Sequence, residues 1–192
     1  MMHITIHQES LLQTAAPLVV LGVWQDEALP AGVGELFTAD DFEGKAGQTL
    51  MLYPRGALRG QRVLLLGLGQ QDAATPDTLR QAGAHAARKA HSLKLASLAL
   101  GLPVTSSIRP DVAAQAISEG ALLGLYSYLA QKSSLSDEQS HAVEQLMLVT
   151  EDHADDAQQG AARGAIIARG VMRARDLVNA PGNIATPGYL GD

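Results

Sequence analysis

The side chains able to do chemistry are scattered along this 192-residue chain, and few stand at working distances from one another. Its six histidines are His3, His7, His85, His91, His141 and His153. His3 and His7 can share one face of a strand, yet no carboxylate sits at ligand spacing between them, and the His-Glu-x-x-His helix pattern of zinc hydrolases is absent. His85 and His91 are six residues apart, which turns them to different sides of a helix. We expect the histidines at the surface. Glu151-Asp152-His153-Ala154-Asp155-Asp156 gathers four carboxylates and an imidazole, donor types that a hard cation takes. A calcium loop needs alternating ligands, a glycine bend and a closing glutamate, and this run lacks that order. Acids at the start of a helix stabilise its positive end without any metal, which is the expectation here.

Gly67-Leu68-Gly69, after the apolar run Arg62–Leu66, invites a phosphate-loop reading, because glycines after a strand let backbone amides approach an anion. Asp72 stands where the third glycine of a dinucleotide fingerprint would be, and no Gly-Lys-Ser/Thr follows. A tight strand-to-helix turn is the expected role. No serine lies in a Gly-x-Ser-x-Gly elbow. Arg55, Arg59 and Arg62 form the one basic stretch that could touch phosphates, but a solvated loop leading into a strand is the expected account of them.

The composition narrows the classes. The chain holds 14 Lys+Arg against 20 Asp+Glu, for a formal net charge of −6, so a surface built mainly to neutralise nucleic acid is disfavoured. It has no cysteine, which removes disulfides, thiolate metal sites and thiol nucleophiles and fits a reducing, cytoplasmic setting. No window reaches the roughly 18 uninterrupted apolar residues of a membrane span. Aromatic residues make up only 4%, so the core must be aliphatic and rich in alanine.

Something must position these groups, and the pattern is that of an α/β domain. Ile4–His7, Pro17–Trp24, Gln48–Tyr53, Arg62–Leu68, Leu95–Leu100 and Gln145–Val149 read as strands; the continuous apolar runs among them suit strands covered on both faces. Thr75-Pro76-Asp77 opens a helix that runs to His91, with Leu79, Ala82, Gly83, Ala86, Ala87 and Ala90 inward, small enough to lie close to a sheet. Pro110-Asp111 opens a second helix, to about Gln131, placing Ala113, Ile117, Gly120, Gly124 and Tyr128 on one face. A third begins after the acidic turn Glu151–Asp156, runs through Ala161–Asn179 and ends before Ala180-Pro181-Gly182. In it Arg169, Arg173 and Asp176 share one face and Ala165, Ala168 and Met172 another. Fraying is expected from about Val178, with Ile184–Asp192 mobile.

Three blocks together resemble the amino-terminal part of the leucyl aminopeptidase family. The first is Asp41–Leu50 (DFEGKAGQTL) with Arg62–Gly69 (RVLLLGLG) and the helix near Leu79–Ala82. The second is Glu119–Tyr128 (EGALLGLYSY) followed by Lys132-Ser133. The third is Ala174–Leu190 (ARDLVNAPGNIATPGYL), similar to that family's passage from its small domain into its catalytic one.

The resemblance implies a macro-domain-like mixed sheet flanked by helices, followed by a connecting helix. It sets residues 1–157 as a small α/β domain and 158–192 as that helix with the first residues of a catalytic domain. In the family, the catalytic domain binds two divalent cations, manganese or zinc, and removes amino-terminal residues from peptides within a homohexamer. The residues that bind those metals and do that chemistry lie beyond the third block, so none is carried over to a position here. The chain is therefore expected to be an inactive part of a cytoplasmic metallo-aminopeptidase, partnered by the catalytic domain of the same protein. Two other readings stay open: a macro-like module for ADP-ribose or a related nucleotide, and an accessory domain that binds DNA through Arg55, Arg59 and Arg62.

Overall fold

The computed structural model describes residues 2–25, 27–30, 32–37, 41–55, 58–103, 105–128 and 141–181. Six strands appear where apolar runs were read: β1 (His3–Gln8), β2 (Val19–Trp24), β3 (Thr49–Leu52), β4 (Val63–Gly69), β5 (Ser97–Gly101) and β6 (Gln145–Thr150). They form one sheet in the order β1-β6-β5-β2-β4-β3. All neighbours are parallel except β3, which runs antiparallel to β4 at the edge. The sheet is therefore mixed, as expected.

Both faces are covered, but differently. Leu64, Leu66, Leu98, Leu100, Leu146 and Leu148 point to the side that carries α1 (Pro76–Ser92), α2 (Pro110–Gly124) and α3 (Ala154–Asn179). Their alternates Val19, Leu52, Val63, Leu65, Ala99 and Val149 face the other side, where Val33 and Phe42 cover them. Every residue of β4 is buried, which is why its sequence shows no alternation.

α1 begins as its sequence directs. The Thr75 hydroxyl accepts from the Thr78 amide at 3.3 Å, and the Thr78 hydroxyl accepts from the Thr75 amide at 3.2 Å. The residues read as its inward stripe are its buried ones. Their smallness serves a helix as well as the sheet, because a Cβ on Gly83 would lie 2.3 Å from the Ile117 carbonyl oxygen of α2.

Three expectations change. α2 stops at Gly124 rather than near Gln131, so Tyr128 is not on its face, and residues 129–140 lie outside the described part. α3 starts at Ala154, inside the acidic run, so Asp155 and Asp156 form its first turn. The glycines of Gly67-Leu68-Gly69 extend β4 instead of turning into a helix. The Gly67 amide donates to the Gln48 carbonyl at 2.8 Å and the Gly69 amide to the Gly44 carbonyl at 3.0 Å. A Cβ at Gly67 would lie 2.1 Å from the Lys45 carbonyl oxygen. These glycines let residues 44–48 press onto the strand, and their amides are not available to a phosphate.

Candidate functional site along the third helix

α3 is 26 residues long, about 39 Å at 1.5 Å per residue. Its first half lies on α2 almost backbone to backbone. A Cβ on Gly160 would stand 1.9 Å from the Asp111 carbonyl oxygen, and one on Gly164 would stand 2.5 Å from that of Gln115. Ala157, Ala161 and Ala168 complete the buried face, and no residue after Ala168 is fully buried.

A chain of polar contacts ties the three helices together. On α1, Arg80 donates to Asp77 Oδ1 and to Glu119 Oε2, each at 2.9 Å. Gln115 donates to Glu119 Oε1 at 2.9 Å. From α3, Arg163 donates to Asp111 Oδ2 at 2.6 Å and to Gln115 at 3.3 Å. Arg109 Nε sits 3.0 Å from Asp111 Oδ1, at ion-pair distance without hydrogen-bond alignment. Burial alone would push the Asp111 carboxyl up, but the neighbouring Arg109 and Arg163 outweigh it and hold that carboxyl below the usual range.

The far end of α3 is held by one tyrosine. As α2 ends, Tyr126 turns away from the helix path, and its hydroxyl donates to Asp176 Oδ1 at 2.8 Å and accepts from Asn179 Nδ2 at 3.2 Å. The Arg175 guanidinium lies 5.5 Å from the centre of the Tyr126 ring. Partial desolvation and the Asp176 carboxylate raise the Tyr126 pKa, so the phenol stays protonated and remains a donor. α3 is helical through Asn179, the end read from the sequence. The second and third blocks of the sequence meet at this contact, 50 residues apart. Ile184–Asp192 lie outside the described residues, as do Lys132 and Ser133.

One apolar stripe of α3 is only partly covered among the described residues. Ile167, Val171, Ala174 and Val178 recur at spacings of four, three and four, which stacks them on one side of a helix. Ile167 is 43% exposed and Val178 is 85% exposed. Ile166 beside them is also exposed. Apolar side chains grouped this way mark a surface that another body covers.

The remaining sequence candidates stay apart from this surface. Arg55, in a left-handed turn, and Arg59 are exposed, and Arg62 is half-buried just before β4. Residues 56 and 57 between them lie outside the described part, and the geometry adds no phosphate-binding partner to these three. His91 and His141 are not the surface groups expected: both are half-buried, with ring centres 6.2 Å apart. Nothing in the sequence spacing brings those two together; the fold does. Among the described residues, no three His, Asp or Glu side chains converge to hold a metal ion. These residues do not fit the two divalent cations that the resemblance implies for the longer protein.

Against this geometry, residues 6–135 match the sequence model of the cytosol aminopeptidase family, N-terminal domain. The chain belongs to the cytosol aminopeptidase family. A probable cytosol aminopeptidase of Roseiflexus castenholzii is 44% identical over the whole of this chain, which covers 39% of that relative. Another, from a Geobacter species, is 36% identical over 98% of the chain and 40% of its own length. The chain thus spans about two fifths of the curated relatives it matches. Its fold is that of a tomato leucine aminopeptidase mutant, with a TM-score of 0.80 over 99% of this chain and 40% of that one, at 24% identity. The bottromycin maturation enzyme BotP, in complex with Mn, superposes with a TM-score of 0.71 at 29% identity, over 93% of this chain and 35% of that one. The matches to relatives extend across α3, so this cytosol aminopeptidase-family domain includes the long helix in its likeness. They give the ADP-ribose and DNA readings no support.

Proposed function

We propose that this chain is the non-catalytic small domain of a two-metal aminopeptidase and that α3 seats it on the catalytic domain of the same protein. The observation that carries the reading is the stripe Ile167, Val171, Ala174 and Val178, largely exposed among the described residues on a helix that its packing on α2 and the Tyr126 contact hold in place. The share of the relatives' length beyond this chain supplies an occupant for that stripe. Residues 1–157 then form the small domain and 158–192 the connection, with the boundary falling inside α3. In the longer protein, manganese or zinc would polarise the peptide carbonyl and supply the attacking hydroxide. The groups that hold those ions come from the catalytic domain; this chain contributes position. A homohexamer acting on peptide amino termini in the cytoplasm is the assembly and setting we assign to the whole. Among the described residues, no helix is long and apolar enough to cross a membrane.

A chimera tests the seating. This chain would replace its counterpart in the Roseiflexus relative, and Ile167→Asp/Val178→Asp would be introduced into both the chain and the chimera. Both positions are exposed in the chain, so its unfolding midpoint should move by no more than about 0.5 kcal/mol equivalent. In the chimera the new carboxylates would be buried unpaired, and activity or assembly should fall at least about tenfold. A chimera indifferent to both substitutions would remove α3 as the seat.

A further inference from the structure

The edge of the sheet at β3 is bordered by cations of α1. Among the described residues β3 pairs with β4 on one side only, so alternate amides and carbonyls of Thr49–Leu52 face outward without a described strand to receive them. Natural edges are guarded by charge, proline or a bulge, and the sequence of β3, Thr-Leu-Met-Leu, contains none of these. Between this edge and α1 lies a groove of about 320 Å³ lined by Thr49, Leu64, His85, Arg88, Lys89 and Ser92. Arg88 is exposed and Lys89 half-buried, and among the described residues neither has a carboxylate within 4.0 Å. His85, one turn earlier, adds a third nitrogen donor on the same wall.

We infer that this edge receives an extended acidic segment of a partner protein as an added strand, with carboxylates at alternate positions. The two halves of the site ask for different features of one ligand. The β3 backbone asks for another peptide backbone, which a nucleotide or polysaccharide lacks. The cations ask for carboxylates on the helix-facing side only. Met51 packs against the helix-side core and Leu50 against the opposite one, so successive residues of an added strand alternate between the same two sides. A segment alternating acidic and apolar residues places its acids beside Arg88 and Lys89 and its apolar residues in line with Leu50.

The probe is a fluorescent six-residue peptide of alternating valine and glutamate, blocked at both ends, titrated into the 192-residue chain at low salt. We expect saturable binding, amide shift changes at Thr49–Leu52, and at least about tenfold weaker binding to Arg88→Glu/Lys89→Glu. The valine–lysine peptide should not bind, and methylation of the glutamate peptide's backbone nitrogens should abolish binding without changing its charge. Those two arms hold even if the charge-reversed protein fails to fold. Equal binding of the N-methylated peptide, or of an oligothymidylate of similar charge, would overturn the inference by showing charge attraction without strand addition. Absence of binding by the glutamate peptide would overturn it directly.

Discussion

Gly120→Val is expected to unfold the domain at 37 °C or to lower its stability by more than about 3 kcal/mol. Even an alanine Cβ at this position would stand 1.8 Å from the Arg80 carbonyl oxygen and 2.7 Å from its carbon, and both are backbone atoms of α1. Flexible side chains can yield to such a contact, but a helix backbone cannot, so α1 and α2 must separate by more than an ångström. That separation would also loosen Gly83 from Ile117 and break the Arg80 to Glu119 contact, because the same two helices carry all three. Gly120→Ala should show the same sign with a smaller size. The control is Gly170→Ala on α3, where a Cβ would meet nothing within 4 Å and the substitution should gain roughly 0.5–1 kcal/mol from helix propensity. Urea titration followed by circular dichroism reads both. A Gly120→Ala protein as stable as the parent would show that the helices are not seated backbone to backbone.

The second large effect is expected at Arg80. Glu119 is 5% exposed, and its carboxylate is satisfied by Arg80 on one oxygen and Gln115 on the other. Arg80→Met keeps most of the aliphatic packing but strands that carboxylate, at a cost of about 3 kcal/mol. Arg80 is itself about a third exposed, so water tempers the reverse loss, and Glu119→Leu should cost less. Removing both charges, Arg80→Met/Glu119→Leu, should recover at least half of the single-variant loss, because no buried ion is then left alone. Thermal melts of the four proteins would decide this; losses that simply add would mean that Arg80 and Glu119 do not depend on each other.

These helix contacts explain what could be read from the amino acids and what could not. The six strands announced themselves through apolar runs, and the start of α1 through Thr75 and Pro76, because those signals are local. The end of α2 carries no such signal: its periodic pattern continues past Gly124, yet the helix stops there, and Tyr126 just beyond it bonds to a helix some 50 residues later. Gly83 was read in a small stripe facing a sheet and Gly120 on one helix face, but that they and Gly160 meet another helix's backbone appears only when the carbonyls of Ile117, Arg80 and Asp111 are seen opposite them. Gly67 misled for the same reason, since a glycine that admits a neighbouring backbone within a strand looks in sequence like one that makes a tight turn after it.

The candidate surface was legible in part. Ala165, Ala168 and Met172 were read as an apolar stripe, and Ala168 is indeed buried with Ala165 and Met172 half-covered. The second stripe, Ile167 to Val178, was not singled out, although its four-three-four spacing was available. Two apolar stripes on one helix signal contacts on two sides, and among the described residues the second is met only in part, at half-buried Val171.

Hydrolysis of leucine p-nitroanilide with added manganese tests whether the residues that carry out hydrolysis lie outside these 192. The purified chain should release p-nitroaniline no faster than manganese alone, while the Roseiflexus chimera measured alongside it should turn the substrate over. Hydrolysis by the isolated chain at a rate near the chimera's would contradict the account, because it would require a metal centre among residues that bring no three metal-binding side chains together where they are described.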